Sequence, residues 1–118
     1  MRFVILRKSD ATMESDTPAS PELIEAVRQY DAEMTKAGVL VAVERLQSTA
    51  RGSRVRLSKG EFSTVDGPFS ETKELIAGVT VVDVASREEA IAWIKHCPTL
   101  CSGDAEAEFE IRPVLDCG

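Results

Sequence analysis

The chain has 118 residues, a length that suits one domain spanning 1–118 with a single core. Twenty Asp and Glu against fourteen Lys and Arg leave a net charge of −6. An acidic chain without a basic cluster repels phosphate backbones, so direct nucleic-acid binding is not expected. No apolar run approaches the ~20 residues of a membrane span, and the apolar stretch Phe3–Leu6 is too short for a signal-peptide core. A cytoplasmic protein without membrane attachment is therefore expected.

The three cysteines, Cys97, Cys101 and Cys117, are odd in number and late in the chain, which suits reduced thiols rather than a disulfide framework. With His96 they lack the paired spacing of a zinc site, so no metal is expected. There is no Gly-rich phosphate loop, nucleophile elbow or HExxH, and no cofactor is implied. A redox sensor using Cys97 and Cys101 is a minor alternative.

In chain order, residues 2–8 predict a strand that is apolar on both faces through Phe3–Leu6 and hence central. Residues 9–19 are polar and predict a loop. Ser20 then offers an N-cap, Pro21 the first helical position and Gly38 the end of a helix whose buried stripe is Leu23, Val27, Tyr30 and Met34. Val39–Leu46 predicts a second strand. Arg54–Leu57 and Phe62–Val65 predict a hairpin turning at Lys59-Gly60. Val79–Val84 predicts another strand. Ser86 and Glu89 make a capping box for a second helix, with Ala90, Ile91 and Ile94 inward and Pro98 beyond its end. Residues 106–114 alternate as a last strand with one wet face.

The order β-α-β, hairpin, β-α-β predicts a ferredoxin-like α+β fold: an antiparallel sheet with both helices on one face and an inserted hairpin. Strands 2–8, 39–46 and 79–84 are apolar on both faces, so the face without helices would expose a large patch. Homodimerisation through that face is expected.

The segment Asp66-Gly67-Pro68-Phe69-Ser70-Glu71-Thr72-Lys73-Glu74 resembles the motif that names the DGPF branch of the YCII-related family. Ala37-Gly38-Val39 leading to Glu44, Ser86 with Glu89-Ala90, and the closing Glu110-Ile111-Arg112-Pro113-Val114 extend the resemblance over nearly the whole chain. It implies ferredoxin-like domains that pair through their sheets as dimeric α/β barrels. The wider family often shows a histidine and an aspartate in a pocket. DGPF-type domains also occur fused to, or encoded beside, bacterial sigma-70-type transcription factors. This sequence departs from that pattern, since residues 20–37 contain no histidine and the sole one is His96.

Asp66, Gly67 and Pro68 are turn formers, and turn-building alone would account for them. It does not account for Glu71, Lys73 and Glu74. Glu44 falls by alternation on the face of Leu40, Ala42 and Leu46, where a carboxylate must be paired or functional. With Arg56 on the hairpin as a partner and Asp66 nearby, two carboxylates would share one site and split their pKa values as an acid–base pair. The sequence reading is thus a small-molecule pocket with Asp66 and Glu44 as candidate catalytic groups. Tyr30, Arg56, Phe69, Glu71 and Lys73 are the candidate ligand contacts. The alternative is a non-enzymatic interaction module attached to a sigma-factor system.

Overall fold

In the computed structural model, residues 1–71, 74–98 and 106–115 are described. Strand β1 (Arg2–Lys8) alternates two apolar sets: Phe3 and Ile5 are buried, while Val4 and Leu6 are half-buried on the other side. Such a strand is stable only between neighbours, and it has two. On one edge it pairs antiparallel with β5 (Ile76–Asp83), and on the other with β6 (Phe109–Pro113). Strand β2 (Leu40–Arg45) adds to the far side of β5, giving the antiparallel order β2-β5-β1-β6. That is the ferredoxin-like order expected.

A four-residue helix, α1 (Ala11–Glu14), breaks the stretch read as loop. Asp10 makes it possible, because its carboxylate accepts from the Met13 amide at 2.8 Å. The long helix α2 (Pro21–Lys36) starts and stops as the sequence demands. Ser20 Oγ accepts from the Leu23 amide at 3.1 Å, and Pro21 takes the first position. At the other end Gly38 adopts φ 74°, its amide donating to Thr35 and that of Val39 to Met34. This is the Schellman arrangement, with the usual apolar contact between the buried Met34 and Val39. Helix α3 (Arg87–Lys95) follows Ser86, whose Oγ accepts from the Glu89 amide while the Glu89 carboxylate takes the Ala85 amide.

Both long helices cover the same face. Tyr30 and Met34 from α2 and Ala90 from α3 pack with Phe3, Ile5 and Val82 in one core. The opposite face carries Val4, Leu6, Val79 and Val81 with no helix over it. It is ringed by charge, including a 3.4 Å pair between Lys8 and Glu110.

The predicted hairpin forms, but as a sheet of its own. Strands β3 (Ser53–Ser58) and β4 (Glu61–Asp66) pair only with each other. Lys59 and Gly60 both take positive φ, 51° and 80°, as a two-residue turn of this hand requires. The ribbon stands out from the main sheet, and every residue in it is exposed.

Candidate functional site

The segment that begins at Asp66 builds the root of that ribbon. Asp66 accepts from Ser53 Oγ at 2.8 Å, across the last rung of the β3–β4 ladder. Gly67 comes next and lies hard against a short 3-10 turn at Thr49–Arg51; a Cβ there would sit 1.7 Å from the Thr49 carbonyl oxygen. The Gly67 amide donates to the Gly52 carbonyl at 2.9 Å. Beyond Pro68, the Phe69 amide donates to Thr49 Oγ1 at 3.0 Å, and its ring lies 3.9 Å beneath the Arg54 guanidinium. Thr49 Oγ1 in turn donates to Glu14 at 2.6 Å. Ser48 is tied alongside by Asp16, whose carboxylate takes both its amide and its hydroxyl at 2.9 and 2.5 Å. Those two bonds hold the Asp16 carboxyl below its ordinary value.

The structure distributes the candidate residues over two places rather than one. Tyr30 lies in the core of the main body, its hydroxyl donating to the Trp93 carbonyl at 2.8 Å. Glu44 is exposed on β2 opposite Val79, on the helix-free face. An irregularity in the ladder between Leu40 and Ala42 puts Leu40 opposite Val82 and Ala42 opposite Val81. Glu44 therefore shares its face with Ala42 but not with Leu40, which simple alternation could not reveal. Arg56 and Phe69 line a shallow concavity on the ribbon with Arg54 and Val65. Asp66 is at the ribbon root, Glu71 is exposed just beyond it, and Lys73 lies outside the described residues. Among the described residues no hydrogen bond or ion pair joins Glu44 to Arg56 or Asp66.

A different concavity is the better-built one. Only the C-terminal half of α2 seats fully on the sheet; toward its N-terminus, Leu23 and Val27 stay half-buried over a cleft of about 450 Å³. Its floor is the helix-covered face of β1, β2 and β5, through Ile5, Val43 and Thr80. Tyr30 forms part of its wall, and Glu44 borders it. The spacing of the α2 stripe suggests uniform packing and so gives no sign of this space. The signal available was the loop of residues 9–19, which must close the end of the helix layer with few apolar side chains.

Two arginines reach the cleft. Arg45 is committed, with paired bonds of 2.9 and 3.0 Å to the Asp31 carboxylate. Arg7 is less so. Its side chain is 16% exposed, one nitrogen donates to the Lys8 carbonyl at 2.6 Å, and the Asp10 carboxylate is 3.8 Å away. The guanidinium stacks 5.2 Å from the Phe109 ring centre. Among the described residues no other acceptor takes its donors, and Arg7 lines the cleft. An incompletely paired guanidinium beside an apolar hollow is suited to one anionic group.

Two further groups at the cleft, Tyr30 and Cys97, have their neutral forms favoured. Burial pushes the Tyr30 hydroxyl far above its ordinary value, with Cys97 and Asp31 adding to the effect. Burial likewise raises the Cys97 thiol, which lines the cleft and points at the Pro98 carbonyl 3.6 Å away. Cys101 and Cys117 lie outside the described residues, and His96 is exposed at the end of α3. Among the described residues no three His, Cys, Asp or Glu side chains gather as metal ligands.

The chain is 33% identical over 101 residues to the uncharacterized protein R00369 of Rhizobium meliloti (strain 1021), covering 86% of this chain and 77% of that one. The profile of the YCII-related domain matches residues 1–117. The chain belongs to the YCII-related family.

Proposed function

We propose that the protein is a homodimeric small-molecule-binding protein whose ligand is an apolar molecule carrying one carboxylate, held in the cleft beneath α2. The observation that carries the reading is the pairing of a cleft of about 450 Å³ with Arg7, a sheltered cation whose Asp10 carboxylate partner stands 3.8 Å away, at the long end of an ion pair. That volume falls in the range of small-molecule sites, and the lining is dominated by aliphatic side chains such as Leu23, Val27 and Val43. Binding rather than catalysis fits the groups present. Tyr30 is protonated and occupied by the Trp93 carbonyl, and Asp66 is occupied by Ser53. The dimer is supported by the half-buried valines and leucine of the helix-free face.

Titration calorimetry with decanoate, 4-phenylbutyrate and their methyl esters tests the ligand. The acids should bind saturably and the esters weakly. Arg7→Met should cost about tenfold or more for the acids, since a hydrogen bond to a charged group contributes ~1.5–3 kcal/mol. Val27→Phe, which fills the cleft, should weaken acids and esters alike. Acids that bind no better than esters, or binding indifferent to both substitutions, would remove the reading.

A site at the motif would have to be assembled across two copies, because within one chain Arg56 and Phe69 line a different concavity from Tyr30 and Glu44. Asp66→Ala separates the two: cleft binding survives it, a motif site does not. Co-purification of a sigma-70-type factor with the dimer would instead support an interaction module.

A further inference from the structure

We propose that the β3–β4 ribbon is a dimerisation arm whose apolar face packs on the body of a second copy of this chain; the inference rests on the homodimer reading above. The ladder register puts Val55, Leu57 and Phe62 on one face of the ribbon, with Leu57 directly opposite Phe62. These residues are 68%, 60% and 75% exposed. Each alone would be unremarkable, but three together on one face form a contiguous patch of the kind that marks an interface. Beyond its root the ribbon has no sheet neighbour in its own chain: neither strand pairs with the main sheet. A lone two-stranded ribbon is marginal in water, so one built this regularly needs a partner surface.

The root shows that the arm is held out, not merely left out. Gly67 against Thr49, Asp66 on Ser53 and Phe69 under Arg54 fix where the ribbon leaves the body. An arm aimed in advance loses little entropy on docking.

Size and charge identify the partner as a second copy. The chain exposes 8568 Å² where a compact monomer of its 12.8 kDa would expose about 6,300 Å², an excess of roughly 2,300 Å². Its radius of gyration, 16.0 Å, likewise exceeds the ~13–14 Å of a compact chain of this length. An excess of that size is what each member of an obligate dimer buries. Residues 53–66 carry Arg54, Arg56 and Lys59 against Glu61 and Asp66, a net of +1 within a chain of −6, so the remainder holds −7. Arg54 and Arg56 lie on the ribbon face away from Val55, Leu57 and Phe62, so their charge disfavours a second arm while the apolar face is free to meet the anionic body of a second copy. A two-fold axis then lets each copy embrace the other.

Sedimentation equilibrium of the full chain, with wild type, Phe62→Asp and Val81→Arg, decides the matter. A photo-cross-linking residue at position 62 of a fourth sample reports what the arm touches. Phe62 is outside the core, so the substitution leaves the monomer folded, which circular dichroism verifies. The arm predicts a dimeric wild type, a dimer constant weakened about tenfold or more by Phe62→Asp, and a cross-link from position 62 into the partner's body. A dimer broken by Val81→Arg but untouched by Phe62→Asp, with no cross-link between copies, would overturn the arm and leave the sheet-mediated dimer standing. A wild type that is monomeric at high micromolar concentration would overturn both.

Discussion

Gly67 is the position where one added atom should do most harm. A methyl group placed there meets the Thr49 carbonyl oxygen at 1.7 Å and its carbon at 2.6 Å, both backbone atoms that cannot swing aside. Gly67→Ala should therefore cost on the order of 1–3 kcal/mol, read as a fall of several degrees in Tm. An unchanged melt would show that the ribbon root is looser than described. Asp16 makes a pH prediction. Its carboxyl is held below the ordinary value by the Ser48 hydroxyl and amide, so the charged form is favoured in the folded state. Its contribution is present above the unfolded value, about pH 4, and is lost as pH falls through the lower folded value. Amide exchange at Ser48 should accelerate below about pH 4 in the wild type and be fast and pH-flat in Asp16→Ala, after correction for intrinsic exchange. At this scale the turn chemistry of Asp66-Gly67-Pro68 was legible, because Asp and Gly act locally. The partner that makes Gly67 indispensable, Thr49, lies far off in sequence and carries no local sign of its role.

The elements themselves were largely legible, since their ends are written in short-range chemistry. Ser20 with Pro21, the Gly38 stop, the Ser86–Glu89 box and the Lys59-Gly60 turn all do what their residue types require. Helix α1 was not legible, being a single turn held by Asp10 and by the bonds Glu14 accepts from Thr49. The face of Glu44 was misassigned relative to Leu40 because the ladder slips by a residue between Leu40 and Ala42, and strict alternation has no memory of a slip. The cleft under α2 escaped for a related reason: Leu23, Val27, Tyr30 and Met34 share a stripe, but only the last two are buried. The half-empty stripe predicts how Cys97 behaves. With burial raising its thiol, Cys97 should react slowly with a maleimide at pH 7.5 in a background where Cys101 and Cys117 are serine. A cleft ligand should slow it further; labelling at the rate of a free thiol would contradict its placement.

For the molecule as a whole, the antiparallel ferredoxin-like sheet and the placing of both long helices on one face followed from the β-α-β, hairpin, β-α-β order of the elements. The two-sided apolar pattern of β1 and β5 also signalled the helix-free face. What the pattern could not show was that the inserted hairpin would stand away from the body, since its strands look like those of any sheet; only the lack of a neighbour distinguishes them. The same independence makes the arm and the cleft separable, and lets one measurement locate the ligand. Methyl chemical shifts of isotopically labelled protein should be followed during titration with decanoate. Saturable shifts are expected at Leu23, Val27, Val43 and Ile94, all in the cleft, with the ribbon methyls of Val55 and Leu57 unmoved. Shifts centred on the ribbon, or none at the cleft, would contradict the cleft site.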